Sequence, residues 1–384
     1  MNNLSFYMIA GEASGDLLGG RLMKAINQAT SGHAVYHGVG GVSMKGHGLN
    51  SLFPMTDLSV MGVAEVLPRL PLILARIKQT VADVLAKNPS VVVTIDAPDF
   101  SFRVARGLRD AGYKGKLIHY VAPTVWAWRA ERAKKVAALY DGILCLLPFE
   151  PGYFTREGMK AAFVGHSVLE EGWDHTDPSG LRLHYEIPAN KKVLGLLFGS
   201  RVGELNRVGP ILREAALLVA KDNPDLHIVT ITLPHVEKLA RNLLQEIPCS
   251  NTVILDPNHK FHGFSVMDAA IATSGTVGLE LSVAGVPHII GYKINPLTHA
   301  LVRSRIKTKY AHLTNILLNY PLVPEFIQGD CTPEALAGAA SLYLQDYNAV
   351  KYQKDGFRNA MHMIQGEYAG TPSQQASAFV LSFL

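Results

Sequence analysis

The chain has 384 residues, 48% hydrophobic and 18% charged, with 34 Gly and 21 Pro, an ordinary globular composition that excludes disorder and a collagen-like repeat. Its 36 Lys and Arg against 32 Asp and Glu leave a net charge of +4 with no run of five like charges, too mild a field for nucleic acid. Cys145, Cys249 and Cys331 are odd in number, far apart and without a C-x-x-C pair, so they give no disulfide framework or structural zinc site and point to a reducing cytoplasm.

This length predicts two domains, each with its own core. The start, MNNLSFYMIAGEASGD, has no basic leader before its apolar run and reads as a first strand. Short β-branched runs then alternate with stretches of helical period, the pattern of βαβ units on a parallel sheet. In the first half strands are expected at 4–9, 34–39, 91–95, 116–121, 142–147 and 161–164, with helices at 16–27 and 125–140 among those between them. The longest apolar stretch, 58–75, is broken by Glu65, Pro68, Arg69 and Pro71, so no membrane-spanning helix is expected.

Residues 170–191 have the Asp, Pro, Gly and Asn content of a connector, which puts a first domain at 1–169 and a second at 170–345. Beyond it strands are expected at 193–198, 227–232, 252–255, 269–273 and 288–293, which makes two Rossmann-like domains in tandem without an internal sequence repeat. The tail from Thr332 reads as helices.

Ligands of an open α/β sheet bind at the carboxyl ends of its strands, where helix N-termini favour anions. Five such places carry chemistry. In Gly11-Glu12-Ala13-Ser14-Gly15-Asp16 the two glycines allow close approach to a ligand, Ser14 or Asp16 can cap the helix, and Glu12 is more than a turn needs. No dinucleotide fingerprint stands there and the chain has no P-loop, so NAD and ATP lose ground. Asp96, directly after an apolar strand, sits where burial can raise a carboxyl toward the range of a general base; Asp96 or Asp99 may instead cap the next helix, Asp99 being the nearer. Trp126, Trp128 and Arg129 suit a sugar or acyl ligand bearing a phosphate, with core packing the competing use of Trp126.

The fourth place, Gly199-Ser200-Arg201, and the fifth, Ser274-Gly275-Thr276, combine helix-start amides, hydroxyls and a guanidinium into a cradle for a diphosphate. Glu280, one turn further, is placed to accept from ribose hydroxyls. No D-x-D, H-E-x-x-H or G-x-S-x-G occurs, so chemistry without a metal or other cofactor is expected.

The strings GEASGD (11–16), MGVAEVL (61–67), IDAPDF (95–100), HYVAPTVWAWR (119–129), LPFE (147–150), GSR (199–201), SGT (274–276) and GYK (291–293) resemble bacterial lipid-A-disaccharide synthase, in order and spacing over most of the chain. The resemblance implies an α/β GT-B fold, two Rossmann-like domains facing across a cleft, and an inverting glycosyltransferase of lipid A biosynthesis. Its partners would be a UDP-activated acylated glucosamine donor held by the second domain and an acylated glucosamine 1-phosphate acceptor held by the first, and it allows a homodimer. It makes Asp96 the essential aspartate and Arg201 the arginine of GSR, and it adds Asn315, Glu325 and Gln328 on the donor side. On the acceptor side it would engage Gly11, Glu12, Ser14, Gly15, Asp16, Asp99, Trp126, Trp128 and Arg129. The final helices, 346–384, would cross back to the first domain. Phe198 and Thr314 stand where the family usually has proline.

Acylated substrates need an apolar surface. Val60, Val63, Leu67, Leu70 and Leu74 recur at helical steps, while Pro68 and Pro71 argue against a regular buried helix. The stretch is either core or a patch for acyl chains and the inner-membrane surface, where Arg69, Arg76 and Lys78 would favour anionic headgroups and hold a cytoplasmic protein peripherally. Competing readings are a UDP-N-acetylglucosamine 2-epimerase, the peptidoglycan N-acetylglucosaminyltransferase, or a non-catalytic nucleotide-sugar or lipid-binding protein.

Overall fold

The computed structural model describes residues 4–58, 63–127, 131–273, 275–294, 308–367 and 369–384, without the side chains of residues 63–68. The chain divides into two compact units, one running to Ser167 and including Ile364–Leu384, the other Val168–Met363.

In the first unit the strands are β1 (Leu4–Ala10), β2 (Ala34–Val39), β3 (Asn50–Ser51), β4 (Val91–Ile95), β5 (Lys116–Tyr120), β6 (Gly142–Cys145) and β7 (Lys160–Phe163). They form one parallel sheet in the order β3-β2-β1-β4-β5-β6-β7. Strands such as Val91–Ile95 are buried at every residue because helices cover both faces of a parallel sheet. Helices α1 (Ala13–Ala29), α2 (Val42–Lys45), α3 (Val63–Lys87), α4 (Pro98–Asp110), α5 (Arg132–Ala137) and α6 (Pro151–Thr155) supply that cover. The expected helix at 125–140 reduces to α5, because residues 125–127 form a turn and 128–130 lie outside the described residues.

Helix α3 runs through Pro68 and Pro71, the two residues that argued against a regular buried helix. The carbonyls that these rings leave without a helix donor, at Ala64 and Leu67, are three residues apart and so fall on one side of the helix, and Pro71 itself is exposed. The helix serves two surfaces. Ile73, Ile77, Val81 and Val84 pack into the core, while Leu72 and Leu74 are 37% and 42% exposed.

The second unit repeats the plan with β8 (Lys192–Leu197), β9 (Leu226–Ile231), β10 (Ser250–Ile254), β11 (Ala269–Thr273), β12 (His288–Tyr292) and β13 (Glu325–Ile327), parallel in the order β10-β9-β8-β11-β12-β13. Its helices include α7 (Pro178–His184), α8 (Val202–Asp222), α9 (Glu237–Gln245), α10 (Lys260–Ser265) and α11 (Thr276–Val283). The short edge strands β3 and β13 were not expected from the sequence, being only two and three residues long. The return to the first unit begins later than residue 346. Helix Tyr347–Met363 stays with the second unit because Gln353, fully buried, bonds both backbone groups of His288, the Leu322 carbonyl and the Tyr343 hydroxyl. Helix Pro372–Leu381 then packs on α1 through Ala376 and Val380, and the rings of Phe379 and Phe383 occupy the space above Gly142.

Among the described residues no helix is long and apolar enough to cross a membrane. Cys145 and Cys331 are buried free thiols and Cys249 is half-buried.

A pair of histidines fixes the loop ahead of helix Leu313–Leu318. The Thr314 N–H donates to His312 Nδ1, so the His312 proton sits on Nε2 and reaches His288 Nε2 at 2.9 Å. The His288 proton is then on Nδ1, bonding the Val286 carbonyl at 2.8 Å. Both rings are neutral. Burial pushes His288 down to about 4 and His312 well below its ordinary value. Histidines depressed below about 6.5 contribute stability that is present above that pH and lost as pH falls toward the folded value. Asn at 312 can keep the Thr314 bond while losing the ring contact. The stability gap between the wild type and His312→Asn, read from thermal melts, is therefore expected to narrow between pH values of about 6.5 and 4; a gap constant across that interval would refute the neutral pair.

Candidate active site

In each sheet the strand order reverses at one place, between β1 and β4 in the first unit and between β8 and β11 in the second. There the crossovers leave in opposite directions and open a crevice at the strand carboxyl ends. Four of the five sequence motifs lie on the loops that follow these four strands, and the fifth follows β5, the neighbour of β4.

In the first unit the crevice holds Asp96. A cavity of about 220 Å³ is lined by Asp96, Pro98, residues 121–125 and Arg132. The backbone is left-handed at Asp96 (φ 51°), Ala97 (φ 44°) and Val121 (φ 79°), a conformation that costs a β-branched residue such as Val121 most. The Asp96 N–H bonds the Tyr120 carbonyl and its own carbonyl accepts from Ser101, so the residue is held on both sides. Burial raises its carboxyl above the ordinary value, with a backbone N–H at Ala97 opposing. Neither Asp96 nor Asp99 caps α4: the N-cap is Ala97, without a side-chain bond, and Asp99 is exposed in the first turn.

The GEASGD loop is packed against the Asp96 turn. A Cβ at Gly11 would meet Ala97 Cβ at 2.7 Å and one at Gly15 would meet the Ile95 carbonyl at 3.3 Å, so these glycines let the chain approach β4 and the Asp96 turn. Asp16 does not cap α1 and is not open to substrate. It is 6% exposed and accepts from the N–H groups of Gly41, Ser43 and Met44 at 2.7, 2.9 and 3.1 Å, fixing α2 to α1. Glu12 is the N-cap residue of α1, with an exposed side chain beside exposed Ser14.

Trp126 is half-buried, its indole N–H donating to Glu150 at 3.0 Å and its ring edge-on to Phe149. Trp128 and Arg129 lie outside the described residues. Behind the cavity, β4 and β5 carry Thr94 and His119, bonded at 2.8 Å, with Thr94 also donating to Tyr140. His119 is fully buried and neutral, pushed down to about 3 by burial. Of these, sequence reasoning missed Glu150, His119 and Tyr140; a Glu within LPFE after an apolar strand, and a His inside one, were the available signals.

In the second unit Gly199 has a φ of 97°, and a Cβ there would fall 2.6 Å from Glu204 Oε2. Glu204 reaches back to the Ser200 N–H at 3.2 Å and to Arg201 at 3.5 Å, so a carboxylate already sits at the α8 N-terminus, where an anion would. The Arg201 side chain is 76% exposed. Across the switch point, Gly275 is the N-cap of α11 and Thr276 its first residue; Ser274 lies outside the described residues. Glu280 is half-buried and paired with Lys260 at 3.1 Å, which also holds Glu171 at 2.7 Å. Burial raises the Glu280 carboxyl, with Lys260 opposing.

Three residues expected on the donor side make side-chain bonds to the chain itself. Asn315 is fully buried, bonded to both backbone groups of Val323 and to Glu325, each at 2.8 Å. Glu325 accepts from the N–H groups of Ala311 and His312 as well, and Gln328 accepts from the Ile294 N–H. These side chains close loops because irregular backbone beside a sheet must find partners. Arg76 is likewise unavailable to headgroups, being paired with Asp57 at 2.7 Å over the Phe53 ring. Of the expected apolar patch, Leu74 is exposed and Leu70 half-buried; Val60 and the side chains of Val63 and Leu67 lie outside the described residues. Among the described residues no group of three or more His, Cys, Asp or Glu side chains could hold a metal ion.

Two parallel-stranded Rossmann-like domains, each with its loops of interest at the switch point, define a protein of the GT-B class, and solved structures share the fold. The S. aureus MnaA-UDP co-structure has a TM-score of 0.65 at 12% identity, covering 99% of this chain and 98% of that one. A glycosyltransferase from Rickettsia africae ESF-5 has a TM-score of 0.58 at 13% identity, covering 100% and 98%. Sequence narrows the class. The profile of the lipid-A-disaccharide synthetase family matches residues 6–379. The lipid-A-disaccharide synthase of Rhodospirillum centenum is 46% identical over 384 residues, covering 100% of this chain and 96% of that protein. This chain belongs to the lipid-A-disaccharide synthase family.

Replacing Asn315 by Ala leaves two buried backbone groups of Val323 without partners, at about 1–3 kcal/mol each. The melting temperature is expected to drop by several degrees, with UDP affinity of the remaining folded protein near the wild-type value in calorimetry. Lost UDP binding at an unchanged melting temperature would return Asn315 to the donor site.

Proposed function

We propose that this chain joins a UDP-activated diacylglucosamine to a diacylglucosamine 1-phosphate, forming the β-1,6-linked disaccharide 1-phosphate of lipid A with release of UDP. Family membership supports the reaction class, and the geometry around Asp96 supports the chemistry. Asp96 takes the proton from the acceptor 6-hydroxyl as that oxygen attacks the donor anomeric carbon. The bond from that carbon to the UDP oxygen breaks on the opposite side, so the configuration inverts. A base that is half-buried, raised by desolvation and held by its backbone on both sides is suited to the step. In the second unit, Arg201 and the backbone at Gly275 and Thr276 stabilise the departing diphosphate, with Glu204 releasing Ser200 and Arg201 when the anion enters.

The exposed leucines of α3 supply an apolar surface for acyl chains at the inner-membrane face. Leu72 and Leu74 carry this part, with Lys78 as the cation toward anionic headgroups and Arg76 in a structural pair.

Asp96→Asn is expected to lower transfer by about 10²–10⁴ while leaving the melting temperature and UDP binding near wild type. The acid limb of the wild-type rate profile should lie above the ordinary Asp range of about 4, because the carboxyl must be ionised to act. Near-native turnover of the Asn variant would remove Asp96 as the base.

Replacing Leu72 and Leu74 together by Ser is expected to weaken sedimentation with anionic vesicles and leave the melting temperature within about two degrees, since both side chains already face solvent. Unchanged vesicle binding would discard this surface.

A further inference from the structure

Glu150 lies directly before α6, 3% exposed, with both carboxyl oxygens in use. Oε2 accepts from the N–H groups of Leu146 and Leu147 at 3.0 Å each, and Oε1 accepts from the Trp126 indole at 3.0 Å. Among the described residues no ion pair is made by Glu150; its partners are these three neutral donors. Closing the turn after β6 needs an acceptor for two N–H groups, which a neutral side chain such as Asn or Ser provides. A carboxylate buried without a counter-ion costs far more in desolvation. What the carboxylate adds is a second oxygen, and that oxygen goes to Trp126.

Trp126 follows residues 121–125, five of the residues that line the Asp96 cavity. That wall belongs to no helix or strand. It is tied by Val121 N–H to the Leu144 carbonyl and by the local turn bonds of Val125 and Ala127, while Pro123 has no N–H to give. Val121 is held at a φ of 79°, which a β-branched residue adopts only when its surroundings enforce it. The indole bond anchors the far end of the wall to the β6–α6 turn, and Phe149, adjacent to Glu150, packs edge-on against the same ring.

We propose that Glu150 is a positioning residue for the transfer reaction: through the Trp126 indole it fixes the wall of residues 121–126 against which the acceptor sugar is seated beside Asp96. The proposal rests on the reading of the Asp96 cavity as the acceptor site.

The test compares initial rates of the full-length wild type, Trp126→Phe, Glu150→Gln, Glu150→Ala and Asp96→Asn, varying each acylated substrate in turn. Trp126→Phe removes the indole N–H, keeps a ring and leaves the turn bonds of Glu150 intact. It is expected to raise the acceptor KM about tenfold, the loss of one bond to a charged group, with the donor KM within about twofold. Glu150→Gln keeps one acceptor oxygen and should fall between the wild type and Glu150→Ala. The double variant Trp126→Phe with Glu150→Gln should be no worse than the poorer single, since both remove one interaction. Where Glu150→Ala fails to fold, Trp126→Phe decides alone. Acceptor and donor KM both unchanged in Trp126→Phe, or both raised alike, would overturn the proposal. Asp96→Asn separates the two ideas: full turnover in that variant refutes the acceptor-site reading, whereas its inactivity beside an unmoved acceptor KM in Trp126→Phe refutes only the role of Glu150.

Discussion

A parallel sheet sends every strand carboxyl end to the same edge, and the one point where strand order reverses is the only place on that edge where two neighbouring crossovers diverge. In this chain that constraint acts twice, at β1/β4 and at β8/β11, and the residues with chemical potential gather on the loops so selected. Asp96 owes its position to it. The strand before it is buried throughout, the loop opposite must be glycine to let Ala97 approach, and the backbone is turned left-handed to bring the carboxyl to the cavity.

The polar side chains of these loops divide into those held by several bonds to the chain and those held by few. Buried Asp16 and Asn315 and half-buried Glu325 each make three bonds to the chain and hold helices and loops in place. Glu280 shares one lysine with Glu171, and Asp96 has a raised carboxyl facing a cavity. The distinction is physical: a group whose bonds go mostly to the chain offers few lone pairs to a ligand, whatever its place in a motif.

Much of the fold was legible because its signal is local. Strands β2, β4 and β11 have the boundaries that hydrophobic runs suggest, and a connector near residue 170 lies close to the division after Ser167. Edge strands of two or three residues have too few side chains to show a period, and helix α3 hid behind two prolines. At the site, Asp96 stood out because a carboxylate after a run of valines has few other uses. The committed partners of Asp16 and Asn315 could not be read, because they come from backbone groups 25–28 and 8 residues away that only the folded chain brings together. Glu150 was visible as a residue of LPFE, yet its indole partner is 24 positions upstream.

The first unit is discontinuous in sequence: its core includes Ala376 and Val380, and the rings of Phe379 and Phe383 cover Gly142, while the whole of Val168–Met363 intervenes. During synthesis the second unit therefore emerges complete while the first still lacks the helix that seals α1. For the interval in which about 200 residues are translated, on the order of 10–40 seconds, the part of α1 that packs on this last helix stays uncovered. The segment that starts folding first finishes last, and the nascent chain carries an open hydrophobic surface, a natural place for a holding chaperone, until residues 372–381 have left the ribosome.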